Sequence, residues 1–165
     1  MKVEVPRSAF MDWFWRPSRP HGATIHDRVV TNLERSVAAL IAGHPVLGLP
    51  ALGVLTAARL VAEAGDVERF RSPAAFAMLA GVAPIPASSA EVQRMRLNRG
   101  GNRRLNRALY TIALSQAWHH EPARAYIARR QAEGKTWAEA LRCLKHRISR
   151  PVFRLLQAGQ FGSVR

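Results

Sequence analysis

The sequence predicts an all-α protein: a small helical domain with a helix-hairpin-helix-like corner and a basic loop. Three observations carry the prediction. Apolar residues recur at i, i+3, i+4 and i+7 in successive windows. Cap and stop residues fall between those windows. No strand-like alternation persists anywhere, and no internal repeat is present. With 165 residues, 48% of them hydrophobic, the chain is long enough for a domain with a real core and is not globally disordered.

Residues 1–25 form an irregular arm, with three prolines and a Phe10/Trp13/Phe14/Trp15 cluster that lacks a clear period. The cluster suits packing, or exposure, more than stacking on bases. A helix spans 26–45 and precedes the domain; its apolar positions are Val29/Val30, Leu33, Val37, Leu40 and Ile41, and Gly43-His44-Pro45 stops it. Leu49-Pro50-Ala51-Leu52-Gly53 then makes a tight turn into a helix closed by Gly65. The turn is helix-hairpin-helix-like, a device that offers backbone N–H groups to phosphate. Ala51 stands where such a turn normally has its first glycine, so a plain helix–turn–helix packing corner is the alternative.

Ser72-Pro73 reads as an N-cap followed by Pro at the first helical position, opening a short helix that ends at Gly81. Asn102 can cap the next helix, which buries Leu105, Ala108/Leu109 and Ile112/Ala113 and turns Arg103 and Arg107 outward. Glu121-Pro122 starts another helix, ending near Gly134. Thr136 and Glu139 form a capping box for a long last helix, which Pro151 is expected to kink or split in two. The main domain spans 46–158, and 159–165 is a tail.

Charge is distributed unevenly. Of a net charge of +14, residues 1–93 contribute 9 basic and 8 acidic side chains, and residues 94–165 contribute 16 basic and 3 acidic ones. This asymmetry points to a polyanionic partner, most often nucleic acid. Arginine outnumbers lysine, which suits bidentate contact with phosphate, although high genomic GC content enriches arginine too. The basic half opens in a loop over 82–101. There Ser88 and Ser89 precede Arg94, Arg96 and Arg99, and the Gly100-Gly101 break leads to Arg103, Arg104 and Arg107. A hydroxyl beside dense positive charge suits phosphate. The competing readings are loop or cap serines and a solvated arginine face. Asn98 and Asn102 suit turn and cap roles, and the glycine pair a turn or C-cap.

Several functional classes receive no support. The lone Cys143, read as a small core residue, excludes an intrachain disulfide and a cysteine zinc cluster. The histidines are scattered, and adjacent His119-His120 are poorly spaced for joint ligation, so no metal site is assigned. Trp118 and Trp137 read as core or rim packing. No phosphate-binding glycine loop, dinucleotide fingerprint or signal peptide occurs. No apolar run reaches the roughly 18–20 residues needed to cross a membrane, and a cytoplasmic protein is the default.

Three segments carry a resemblance: FRSPAAFAMLAGVAPIPASS, RLNRGGNRRLNRALYTIAL and RAYIARRQAEGKTWAEALRCLKHRI. Together with LPALG and AARLVAEAGD, they resemble the C-terminal domain of the one-ten family of insertion-sequence transposases, relatives of the Piv-type site-specific invertases. The likeness covers roughly residues 46–157, in the same order. It implies a DNA recombinase with a metal-binding RuvC-like nuclease domain, a C-terminal catalytic serine, guide-RNA use and self-association. The implied serine lies eight residues after the glycine of an A-G-apolar-x-P segment. From Gly81 this count reaches Ser89, and Ser88 is the alternative. The family commonly carries glycine after that serine, where this chain has Ala90-Glu91. The RuvC-like domain and its divalent metal are not in this sequence, so the resemblance implies a truncated piece needing no cofactor of its own and probing DNA, with or without guide RNA, as its partner. The other class of function is a non-catalytic basic helical module that binds DNA or RNA; a ribosome-associated protein is a third.

Overall fold

The computed structural model describes residues 25–86, 95–98 and 100–161. The described chain is helical, as the periodicity predicts. Its elements are α1 (Ile25–Leu40), a 3-10 helix (Pro45–Gly48), α2 (Val54–Ala64), α3 (Pro73–Leu79), α4 (Arg103–His119), α5 (Glu121–Ala132) and α6 (Trp137–Phe161). A two-residue antiparallel ladder, β1 (Ile85–Pro86) with β2 (Met95–Arg96), pairs Ile85 with Arg96 and Pro86 with Met95. The sequence pattern did not reveal this ladder, because two residues are too few to show alternation. The predicted arm lies outside the described residues.

The chain divides into two compact units, residues 1–35 and 36–165. In the first unit, Val29, Val30 and Leu33 on α1 are exposed. The second unit carries the core. The caps behave as their local chemistry dictates. Ser72 Oγ accepts from Ala75 N at 3.2 Å, and Asn102 Oδ1 accepts from Arg104 N and Leu105 N at 2.9 and 3.0 Å. At the start of α6, Thr136 N donates to Glu139 Oε2 at 2.9 Å and Glu139 N donates to Thr136 Oγ1 at 3.3 Å, closing the capping box. Gly65, Gly81 and Gly134 end their helices with positive φ.

Helix α6 is the spine, packing against α3, α4, α5 and the 3-10 helix. Its buried stripe is Ala140, Leu141, Leu144, Ile148, Val152, Phe153 and Leu156. Phe153 meets Phe76 of α3 at 5.6 Å between ring centroids, and Phe70 stands edge-on to Phe76 at 5.5 Å. Pro151 does not split the helix: one α-helix runs through it. The missing N–H costs one backbone bond, but Ile148 and Ser149 before it and Val152 and Phe153 after it are buried in the same core, which holds the helix together. Buried Ser149 meets its own need by donating to His146 O at 2.6 Å. Cys143 is not in the core; it is half-buried, because it lies on the stripe of His146 and Arg150 rather than that of Leu144 and Ile148.

The corner before α2 joins a 3-10 helix, not a longer helix, to α2. Ala51 takes φ 58, the left-handed region that favours glycine. Gln116, buried on α4, fixes this turn by donating to Pro50 O at 2.9 Å.

Backbone meets backbone closely where the end of α3 passes the start of α4. A methyl on Gly101 would fall 2.4 Å from both Cα and N of Gly81 and 2.8 Å from Leu79 O. Asn102 N donates to Leu79 O at 2.6 Å. Replacing Gly101 by Ala is therefore expected to destabilise the fold by about 2–3 kcal/mol, since the clash is with backbone that no rotamer change can clear. Gly100→Ala, whose added methyl would meet only Asn98 Oδ1 at 3.7 Å, is expected to cost less than about 0.5 kcal/mol. Urea denaturation of the two variants measures the difference.

Acid should also weaken the fold. His44 Nδ1 accepts from Val46 N at 3.1 Å, and Gly159 packs against its ring, leaving no room for a methyl. Burial holds the His44 imidazole below its ordinary 6.5. Burial, and then Arg150, do the same to His146. The folded state thus favours the neutral rings, and the unfolded state takes up protons first as pH falls. Stability is full above about pH 6.5 and falls as pH drops through the depressed folded values. A urea midpoint compared at about pH 7.5 and about pH 5.5 should show this loss, and His44→Asn, which keeps an acceptor but does not titrate, should show less of it.

Candidate nucleic-acid interface

Helices α5 and α6, the chain after α3 and residues 96–98 line a groove of about 710 Å³. One wall is built from residues 81–84 and 96–98. The other is built from Tyr126, Arg129 and Arg130 of α5, Lys135 of the turn, and Arg142, Lys145, Arg147 and Arg150 of α6. With Arg96, the lining holds eight Lys or Arg side chains and a single acid, Glu139. Helical spacing explains the α6 contribution: positions 142, 145/146 and 150 recur at three to four residues and fall on one face.

The acids near the groove are already engaged. Glu133 receives Arg130 at 2.6 Å and lies 4.0 Å from Arg129, and the hydrogen bond from Arg130 holds its carboxyl below the usual range. Glu139 serves the capping box, which likewise lowers its carboxyl, and lies 4.0 Å from Arg142. Among the described residues no carboxylate comes within ion-pair distance of Arg96, Lys135, Lys145, Arg147 or Arg150. Three guanidinium groups crowd the Tyr126 ring: Arg129, Arg130 and Arg147, at 5.3, 5.4 and 5.1 Å from its centroid. Arg130 Nε also donates to the Tyr126 hydroxyl at 3.2 Å.

Lys145 is the most constrained of these cations. Its Nζ donates to Asn106 Oδ1 at 2.9 Å. The Asn106 amide in turn donates to Ala80 O at 2.8 Å and Gly81 O at 3.0 Å. One side chain thus ties α6 to the chain just before the serine segment. Burial, and then Arg142, lower the Lys145 ammonium below its ordinary value.

The predicted site residues divide. Ser88, Ser89, Arg94 and Arg99 lie outside the described residues. Arg96, on β2, lines the groove, and the β1–β2 ladder pairs Pro86 with Met95. Arg103, Arg104 and Arg107 are exposed on α4 and do not line the groove; Arg104 instead reaches Glu63 at 3.4 Å. Asn98 and Asn102 are engaged structurally. Asn98 Nδ2 donates to Met78 O at 2.8 Å and its Oδ1 accepts from Gly100 N at 3.0 Å, while Asn102 caps α4. The groove cations of α5 and α6 were not singled out in the sequence. Their helical spacing was visible there, but which face meets which loop was not. Among the described residues no group of three His, Cys, Asp or Glu could hold a metal ion, and no helix is long and apolar enough to cross a membrane.

A helical domain with a strongly basic groove walled by residues 81–84 and 96–98 is the class of protein that the fold and site define. Comparison with known proteins narrows the class. The pattern of the transposase IS116/IS110/IS902 family matches residues 44–128, just over half of the chain, and the chain belongs to that family. A relative in Streptomyces coelicolor, the insertion element IS110 uncharacterized 43.6 kDa protein, is 37% identical over 135 residues, 78% of this chain and 33% of its own length. The insertion element IS900 uncharacterized 42 kDa protein of Mycobacterium paratuberculosis is 35% identical over 104 residues, 62% of this chain and 26% of its own. The chain thus spans about a third or less of the length of these relatives.

The groove predicts a specific salt response. Replacing Arg147 and Arg150 together by Ala is expected to weaken binding to a short DNA by roughly tenfold near physiological salt and to flatten the log–log salt slope by roughly 2. Arg124→Ala, on α5 but paired with Glu121 and outside the groove, should leave both within twofold. Fluorescence-anisotropy titrations across a salt series measure both quantities.

Proposed function

We propose that this transposase-family chain binds DNA through the basic groove and supplies Ser89 as the nucleophile for strand cleavage and exchange. The observation that carries the reading is the groove itself: eight cations against one acid, walled by the residues on either side of the serine segment. The family register adds Ser89, eight residues after Gly81.

The chemistry is a transesterification. The Ser89 oxygen forms a bond to phosphorus and the bond to the leaving sugar oxygen breaks. The hydroxyl proton passes to a base, and the leaving oxygen takes up a proton. The covalent serine–DNA ester keeps the bond energy for rejoining. Charge developing on the phosphoryl oxygens is the part the groove cations suit, with guanidinium forks matching two oxygens at once. These contacts position backbone and do not read bases. Arg103, Arg104 and Arg107 offer a separate basic surface on α4 for further backbone. The divalent metal, the RuvC-like domain, the guide RNA and the self-association implied by the resemblance belong to this reading of the whole transposase.

The test supplies the chain with a RuvC-like domain made from a relative, guide RNA, divalent metal and target DNA. A protein–DNA adduct on a denaturing gel, lost in Ser89→Ala and kept in Ser88→Ala, is the expected result. Loss in Ser88→Ala alone moves the nucleophile by one residue. No adduct in any combination, with DNA binding intact, leaves a non-catalytic polyanion-binding module.

A further inference from the structure

A second hollow adjoins the basic groove. Tyr110 of α4, 44% exposed, and Trp137, the first residue of α6, 40% exposed, line it. The hollow is about 180 Å³ in volume, with Ala138 and the buried Leu141 among its lining. Arg142 and Lys145 complete it, and the same two cations line the groove. The Lys145 ammonium is 6.0 Å from the centroid of the Tyr110 ring and is held there by Asn106. Trp137 was expected to pack in the core or at its rim. It lies at the rim, with two-fifths of its surface open, and its side chain takes no part in the Thr136–Glu139 cap.

We propose that this hollow receives an unpaired nucleobase, stacked on Trp137 and Tyr110, while the neighbouring phosphates lie on Arg142 and Lys145. The proposal rests on the polyanion reading of the groove and deepens it: the preferred ligand is single-stranded nucleic acid or an unpaired stretch of a larger one. A base inside a duplex has both faces covered by its neighbours and cannot offer one to an aromatic ring. An unpaired base can, and such stacking is sequence-tolerant. The shared pair of cations supplies the link, because a strand that places a phosphate on Lys145 has its next base within reach of the hollow. An acidic protein segment would match the charge but brings no flat ring beside each anion.

Fluorescence anisotropy with the full chain tests the proposal, using labelled oligomers of equal length: oligo-dT, oligo-U, an abasic deoxyribose-phosphate chain, and a DNA duplex. The base-bearing single strands are expected to bind roughly tenfold tighter than the abasic chain. Trp137→Ala should reduce them to the abasic level while leaving abasic binding and its salt slope within twofold. Tyr110→Leu, on a different helix, should do the same and keeps the test intact if one variant fails to fold. Equal binding of oligo-dT and the abasic chain overturns the hollow but leaves the groove. A base preference that survives both variants, or a duplex bound more tightly than oligo-dT, also overturns it. Failure of all four ligands to bind at low salt overturns the groove reading itself. Comparison of oligo-dT with oligo-U tells whether the strand is DNA or RNA.

Discussion

The backbones of Gly81 and Gly101 pass within the space of a single methyl group, and the arrangement of the site follows from that contact. It lets the end of α3 lie directly on the start of α4, with Asn102 N bonded to Leu79 O. The nineteen residues between these glycines begin and end at this crossing, so both ends of the basic loop are fixed to the helical core. The short β1–β2 ladder continues the constraint outward by two residues on each side. Asn106 then reads the crossing from α4, donating to the carbonyls of Ala80 and Gly81, and passes its remaining acceptor to Lys145 of α6. A backbone contact is thereby converted into the position of a cation.

Around that cation the fold gathers charge that it does not neutralise. The local acids are committed to their own helices, Glu133 to the end of α5 and Glu139 to the start of α6. What remains is a concave surface of like charge, which costs the folded state through self-repulsion. A ligand carrying regularly spaced negative charge relieves that repulsion when it binds and stabilises the folded chain by mass action. The arginines around Tyr126 show the balance locally: the ring face offsets part of the repulsion among three guanidinium groups while leaving their outer N–H groups for a partner.

Elements set by contacts between near neighbours were legible in the sequence. Ser72, Asn102 and the Thr136–Glu139 pair each satisfy backbone groups two or three residues away, so residue type and spacing suffice to predict them. Pro151 shows the limit of local reasoning. Its effect on the backbone is local, but the side chains that keep the helix in one piece are packed by α3 and α4 from elsewhere in the chain. Cys143 shows a second limit: apolar character suggested the core, and the phase of α6 against its neighbours decided for the groove wall.

By itself, the sequence determined the all-α class, the caps at Ser72, Asn102 and Thr136–Glu139, the excess of positive charge after residue 93 and the likeness to the insertion-sequence transposases, the family that the match shows. Each depends on residue identity, or on partners within one helical turn. Only the tertiary structure decided which cations share a surface. It separated Arg103, Arg104 and Arg107 from the groove, joined Arg96 to arginines some fifty residues away, and set Trp137 beside Tyr110. Helix periodicity fixes which residues share a face, but which face meets which loop depends on how the helices pack, and that packing is anchored by the crossing of two glycines twenty residues apart.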